Sequence, residues 1–184
     1  FEVQVVMSAN AGQFVTPLTF EALSGKTVYH QTYDSKSSGD MEHIRVAENA
    51  DLMLVVPATA STIGKIANGL ADDALSNLYL AFKGSVMVAP AMNDGMWQNL
   101  AVQDNIAKLK SRSVEFIDPE QGELACGATG PGRLAELDGL AALAADRSAR
   151  AGLLEVGANS SSVVWEALHI LHASSLIRDV RSAP

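Results

Sequence analysis

Leu52-Met53-Leu54-Val55-Val56-Pro57-Ala58-Thr59-Ala60-Ser61-Thr62 decides the fold, because five apolar residues run straight into a proline-led loop rich in hydroxyls. The pattern returns at Val86-Met87-Val88-Ala89, which leads into Pro90-Ala91-Met92-Asn93-Asp94-Gly95-Met96-Trp97. Short, β-branched apolar runs closed by proline read as strands buried on both faces of a parallel sheet. In an open α/β sheet, ligands collect in the crevice beyond the carboxyl ends of the strands. Two polar loops at that edge, the second carrying an amide between Met92, Met96 and Trp97, predict a small-molecule site.

Working outward, residues 1–7 read as another strand, followed by the loop Ser8-Ala9-Asn10-Ala11-Gly12. Thr16-Pro17 reads as an N-cap and first helical position, with the helix running to about Leu23. Residues 35–40 form a polar linker and 41–49 a short helix. Ile63, Ile66, Ala67 and Leu70 share one helical face. Asp72-Asp73 caps a further helix to about Ala81, and 99–110 is helical before a strand at 114–117. Residues 118–132, with four glycines, read as an irregular loop, and 134–145 as helix. In the tail, 153–157 is strand-like, Asn159-Ser160-Ser161-Ser162 is a polar loop, and 163–180 reads as a helix. Alternating strands and helices predict a doubly wound α/β fold in one domain spanning 1–184.

Composition sets the outer bounds. Of 184 residues 48% are hydrophobic and 18% charged, ordinary for a globular chain. A net charge of -8 argues against nucleic acid and anionic membrane as partners, since either calls for clustered Lys and Arg. Cys126 is the only cysteine, so no intramolecular disulfide forms, which suits a reducing compartment. No apolar run approaches a membrane span and no signal-peptide pattern opens the sequence, so the expectation is a soluble cytoplasmic protein.

Several side chains carry two readings each. Asn93 is a carboxamide able to hold a carboxylate, or a turn former beside core residues. His43 is a general base, its unperturbed pKa lying near working pH, or a structural histidine. Cys126 sits in Leu124-Ala125-Cys126-Gly127-Ala128-Thr129-Gly130-Pro131-Gly132-Arg133, where the glycines favour a mobile lid over a core strand. Arg133 can pin an anion or join a surface ion pair. Ser160, Ser161 and Ser162 fit either a phosphate loop at a helix N-terminus or a generous N-cap. His30, His169 and His172 read as non-functional, and no metal is expected.

Together these motifs resemble the flavin-containing cysteine decarboxylases, the group of phosphopantothenoylcysteine decarboxylase and the peptidyl-cysteine decarboxylases of lantibiotic synthesis. The resemblance covers roughly residues 1–145. Pro90 to Trp97 reproduces the family's Pro-X-Met-Asn-X-X-Met-Trp signature. Pro57 to Thr62 matches its Pro-Ala-Ser-Ala-Asn-Thr loop apart from Thr59 and Ser61. Leu124-Ala125-Cys126-Gly127 with Gly130 and Gly132 looks like its substrate clamp. The segments 14–20 and 39–44 look most like the coenzyme A branch.

The resemblance implies a flavodoxin-like, Rossmann-like three-layer sandwich binding FMN. It implies decarboxylation of 4'-phosphopantothenoylcysteine to 4'-phosphopantetheine in coenzyme A biosynthesis. A peptidyl-cysteine decarboxylase and a non-catalytic flavin-binding member are the alternatives. It assigns His43 as base, Asn93 as carboxylate holder and Cys126 as proton donor. Ser8, Ala9, Asn10, Thr59, Ala60, Ser61, Thr62 and Ala91 would line the flavin, and Leu124, Ala125 and Arg133 would contact substrate. A homotrimer or homododecamer and a synthetase partner are also implied. The family's first strand, phosphate loop and helix have no counterpart before Phe1. Residues 153–180 carry a similar pattern, so a circularly permuted order is expected, with 153–157 as the strand and Ser160, Ser161 and Ser162 as the FMN phosphate loop.

Overall fold

The computed structural model describes residues 2–30, 42–124, 127, 129–154 and 162–166. Its elements in order are β1 (Glu2–Val6), α1 (Pro17–Ser24), α2 (Glu42–Glu48), β2 (Leu52–Ala58), α3 (Ala60–Asn68), α4 (Ala74–Ala81) and β3 (Ser85–Pro90). There follow α5 (Asp94–Trp97), α6 (Leu100–Lys110), β4 (Glu115–Phe116), β5 (Glu120–Glu123), β6 (Thr129–Arg133), α7 (Leu137–Leu154) and β7 (Ser162–Glu166).

Five strands form a parallel sheet in the order β1-β7-β2-β3-β4. Counted from β7, this is the 2-1-3-4-5 order of flavodoxin-like folds, whose switch point lies beside the first strand. β2 explains why its sequence is apolar throughout. Met53 and Val55 join a core with Ile63, Ile66, Leu75, Leu78, Ile106 and Leu109 on one face. Leu52, Leu54 and Val56 join Met87, Ala89, Leu140 and Ala144 on the other. Side chains alternate faces along a strand, so a strand covered by helices on both sides has no polar position to offer. A third cluster, Val5, Met7, Phe20 and Val28, seats α1 against β1.

The helices begin where the caps put them. Thr59 caps α3 by accepting from the Thr62 N–H at 3.2 Å. Asp73 caps α4 in a capping box with Ser76. Lys65, one turn from the end of α3, reaches Asp72 and Asp73, each at 2.8 Å, and ties the two helices together. Among the described residues no helix is long and apolar enough to cross a membrane.

Three expectations need correcting. Residues 118–132 are not an irregular loop: β5 and β6 pair as an antiparallel hairpin, with Gly122 opposite Gly130. Glycine is unfavourable in a strand unless backbone or a large side chain comes close, and here both do. The strand expected at 153–157 is absent where described, because Leu153 and Leu154 end α7. The tail strand is instead Ser162–Glu166, paired with β1 on one side and β2 on the other. Its centre, Val163-Val164-Trp165, is β-branched and aromatic, which suits a strand better than a helix start. Ser162 therefore opens a strand, in register with Glu2, at the amino edge of the sheet. It is not in the loop at the carboxyl edge. Ser160 and Ser161 lie outside the described residues, as do residues 167–180 of the expected helix.

Candidate active site

The carboxyl edge of the sheet gathers most of the residues singled out in the sequence. β2 ends at Ala58 and β3 at Pro90, and the Ala91 N–H donates to the Ala58 carbonyl at 3.0 Å, so the Thr59 and Ala91 loops leave the sheet side by side. Ala60, Ser61 and Thr62 form the first turn of α3, not a free loop. Beyond β1, the Ser8 hydroxyl accepts from the Ala11 N–H at 3.2 Å, and Ala9 and Asn10 are exposed. Both the helix start and the hydroxyls are donor-rich, since the first backbone N–H groups of a helix have no intrahelical acceptor.

Next to these loops lies a cleft of about 380 Å³ lined by Ala91, Met92, Asn93, Glu123, Leu124, Gly132, Arg133 and Leu134. The two chain segments that form it meet backbone to backbone. The Met92 N–H donates to the Gly132 carbonyl at 3.0 Å, and a Cβ on Gly132 would lie 2.2 Å from the Met92 carbonyl oxygen. Gly130 abuts the Asp94 side chain in the same way, 3.0 Å from its Cβ. Glycine at these positions is what lets the hairpin dock against the Pro90 loop. Gly130 and Gly132 form the seam along which the base of the hairpin docks.

Within the cleft, Asn93 is exposed and caps α5, its Oδ1 accepting from the Gly95 N–H at 2.9 Å. Of the two ends of a carboxamide only the nitrogen donates to an anion. Arg133 donates from Nη2 to Glu136 Oε1 at 2.8 Å. The turn beyond β5 is closed by the Gly127 N–H donating to the Leu124 carbonyl at 2.8 Å. Ala125 and Cys126, between them in sequence, lie outside the described residues.

The structure thus brings Ala91, Asn93, Leu124 and Arg133 into one cleft, with Thr59 to Thr62 adjoining it. His43 is placed by its backbone as the second residue of α2, the helix that precedes β2. Ser8, Ala9 and Asn10 stand at the same edge of the sheet but two strands away, across β7. Glu123 and Leu134 were not foreseen as cleft residues, nor Glu136 as the partner of Arg133, whereas Gly132 stood in the clamp motif.

A flavin fits this edge on the chemistry of its donors. Thr59, Ser61 and Thr62 at the start of α3 and the Ser8 hydroxyl offer the mixed donors and acceptors that a flavin ring edge requires. Its phosphate has no counterpart in Ser162, which lies at the opposite edge.

The protein-family description "Flavoprotein" matches residues 1–148. Coenzyme A biosynthesis bifunctional protein CoaBC of Vibrio vulnificus (strain YJ016) is 47% identical over 142 residues, 77% of this chain and 35% of that protein. The chain therefore spans about a third of the length of this curated relative. The crystal structure of the FMN-dependent cysteine decarboxylase SpaF aligns with a TM-score of 0.68 at 28% identity, over 81% of this chain and 79% of that one. The FMN binding protein AtHal3 aligns with a TM-score of 0.61 at 26% identity, over 78% and 94%. The matched stretch takes in both proline-led loops, the glycine-seamed hairpin and every strand of the sheet except β7, and on that footing the chain belongs to the Flavoprotein family.

Proposed function

We propose that this chain is an FMN-dependent carboxy-lyase that removes carbon dioxide from the cysteine end of 4'-phosphopantothenoylcysteine, giving 4'-phosphopantetheine in coenzyme A biosynthesis. The observation that carries the reading is the cleft itself, where the Asn93 amide and Arg133 line one space beside the Thr59–Ala91 edge. Identity of 47% to a coenzyme A biosynthesis protein supports that substrate over a peptide. The likeness to SpaF, an FMN-dependent cysteine decarboxylase, supports the chemistry.

Bound FMN would supply the two-electron chemistry that the protein's side chains lack. Ser8, Ala9, Asn10, Thr59, Ala60, Ser61, Thr62 and Ala91 are the residues to hold it. Asn93 donates its amide N–H to the substrate carboxylate and fixes the bond that breaks. His43 takes a proton from the cysteine end, as a neutral imidazole nitrogen can. Cys126, two residues past Leu124 in the chain, returns a proton once carbon dioxide has left. Leu124 and Ala125 contact the substrate, and Arg133 receives its anionic end.

The same reading includes an assembly of three or twelve copies, a synthetase partner and a cytoplasmic setting. It also includes the tail: the position of β7 (Ser162–Glu166) between β1 and β2 supports a permuted order in which this strand stands for the family's first strand within one domain. Incubation with FMN and either 4'-phosphopantothenoylcysteine or a peptide ending in cysteine separates the readings. Carbon dioxide from the first substrate supports the proposal, and release from the peptide alone assigns the peptidyl-cysteine reaction. FMN uptake with neither release points to a non-catalytic member.

A further inference from the structure

We infer that Glu136 is a built-in counter-ion that tempers the grip of Arg133 on the anionic end of the ligand, an inference resting on the binding role proposed for Arg133. Arg133 closes β6 and lines the cleft. Its Nη2 is held at 2.8 Å by Glu136, with both side chains substantially exposed at 42% and 67%. Glu136 is in turn held by its backbone, whose N–H donates to Glu120 Oε1 at 3.2 Å. Glu120 stands in register with Arg133 on the paired strand. From the other side, Gly122 leaves room for the arginine. A Cβ there would lie 3.0 Å from Arg133 Cδ and 3.4 Å from Nη1, so the stem and head run across a residue without a side chain.

A guanidinium carries five N–H donors, and Glu136 is bonded to one nitrogen. An exposed pair of this kind is weak and yields to a phosphate, yet its carboxylate still repels the incoming anion. That tempering has a use. The phosphate is carried unchanged from substrate to product, so a contact to it is uniform binding: it lowers KM without speeding chemistry and delays product release. A bare Arg133 would hold substrate and product alike more tightly and slow the release of product.

The test is a titration with inorganic phosphate, following the backbone amides of Gly132 and Leu134, which flank Arg133 in the cleft, by NMR in the full chain. Glu136→Gln should tighten phosphate binding about threefold, the scale of one screened surface charge. Arg133→Gln should abolish the binding, and Gly122→Ala, which pushes the arginine aside, should weaken it. Inhibition by 4'-phosphopantetheine should strengthen by the same factor in Glu136→Gln, whereas inhibition by pantetheine should not change. Phosphate affinity in Glu136→Gln equal to or weaker than that of the unmodified protein overturns the inference. The titration needs no turnover, so a protein inactive on 4'-phosphopantothenoylcysteine refutes the proposed reaction and leaves this result standing.

Discussion

At Gly132 a single hydrogen atom decides whether the cleft closes. A methyl group there would stand 2.2 Å from the Met92 carbonyl oxygen, and the residue already has a φ of 127°. Gly132→Ala should therefore cost about 3 kcal/mol or more, steric overlap adding to an unfavourable φ. Gly127→Ala, at φ 80° with nothing within 4 Å of the new atom, should cost only about 1–2 kcal/mol. Thermal unfolding of the two variants makes the comparison. Asn93 separates fold from function at the same scale. Asn93→Asp keeps an oxygen for the Gly95 N–H and so keeps the α5 cap, but sets a negative charge against the substrate carboxylate. Its unfolding midpoint should be near normal, while kcat/KM falls by about a hundredfold or more, as when a charge-holding donor is lost. Of the site residues, those in the two proline-led loops were legible because proline, hydroxyl and amide types carry their own geometry. Glu123 and Leu134 were not, since their place depends on a hairpin docking onto a loop some thirty or forty positions earlier in the chain.

Elements begin and end largely where local chemistry dictates, and the α3–α4 junction makes this measurable. Burial pushes the Asp73 carboxyl up. The hydrogen bond from Lys65, the Ser76 N–H and hydroxyl, and the Lys65 charge outweigh it and hold the pKa below the ordinary aspartate value. Hydrogen bonds to Asp72 and Asp73 raise the Lys65 amine in turn, against the opposing effect of burial. A carboxylate with a depressed folded pKa contributes stability that is present above its unfolded value, about 3.9, and is lost as pH falls through the folded one. Unfolding midpoints taken downward from pH 5 should drop less in Asp73→Asn than in the unmodified protein, and the variant, which keeps a good cap but loses the Lys65 ion pair, should be less stable at pH 7 by up to about 1 kcal/mol. The hairpin was illegible at this scale because glycine reads as a breaker until its neighbour is known. The tail strand was illegible because Leu168, Leu171 and Leu176 impose a helical period that masks Val163-Val164-Trp165 just before it.

Over the whole molecule, the parallel sheet was readable from Leu52 to Val56 and Val86 to Ala89, whereas strand order was not. Nothing local tells Ser162–Glu166 to enter between β1 and β2, since that pairing spans more than a hundred residues. Val164 is in register with Gln4 on one side and Met53 on the other, so proline there removes a central ladder donor. Val164→Pro should destabilise the sheet by about 3 kcal/mol or more and speed amide exchange in both β1 and β2, whereas a tail unconnected with the sheet would leave both unchanged. The sheet matters because its carboxyl edge aligns the Thr59 and Pro90 loops with the hairpin, and the proposed chemistry needs all three. The most direct measurement is carbon dioxide release from 4'-phosphopantothenoylcysteine by the purified protein supplied with FMN. The purified protein should be yellow, retain flavin, release carbon dioxide and lose that release in Asn93→Asp. A colourless protein that takes up no FMN, or one that binds FMN and releases no carbon dioxide from this substrate, would refute the proposed reaction.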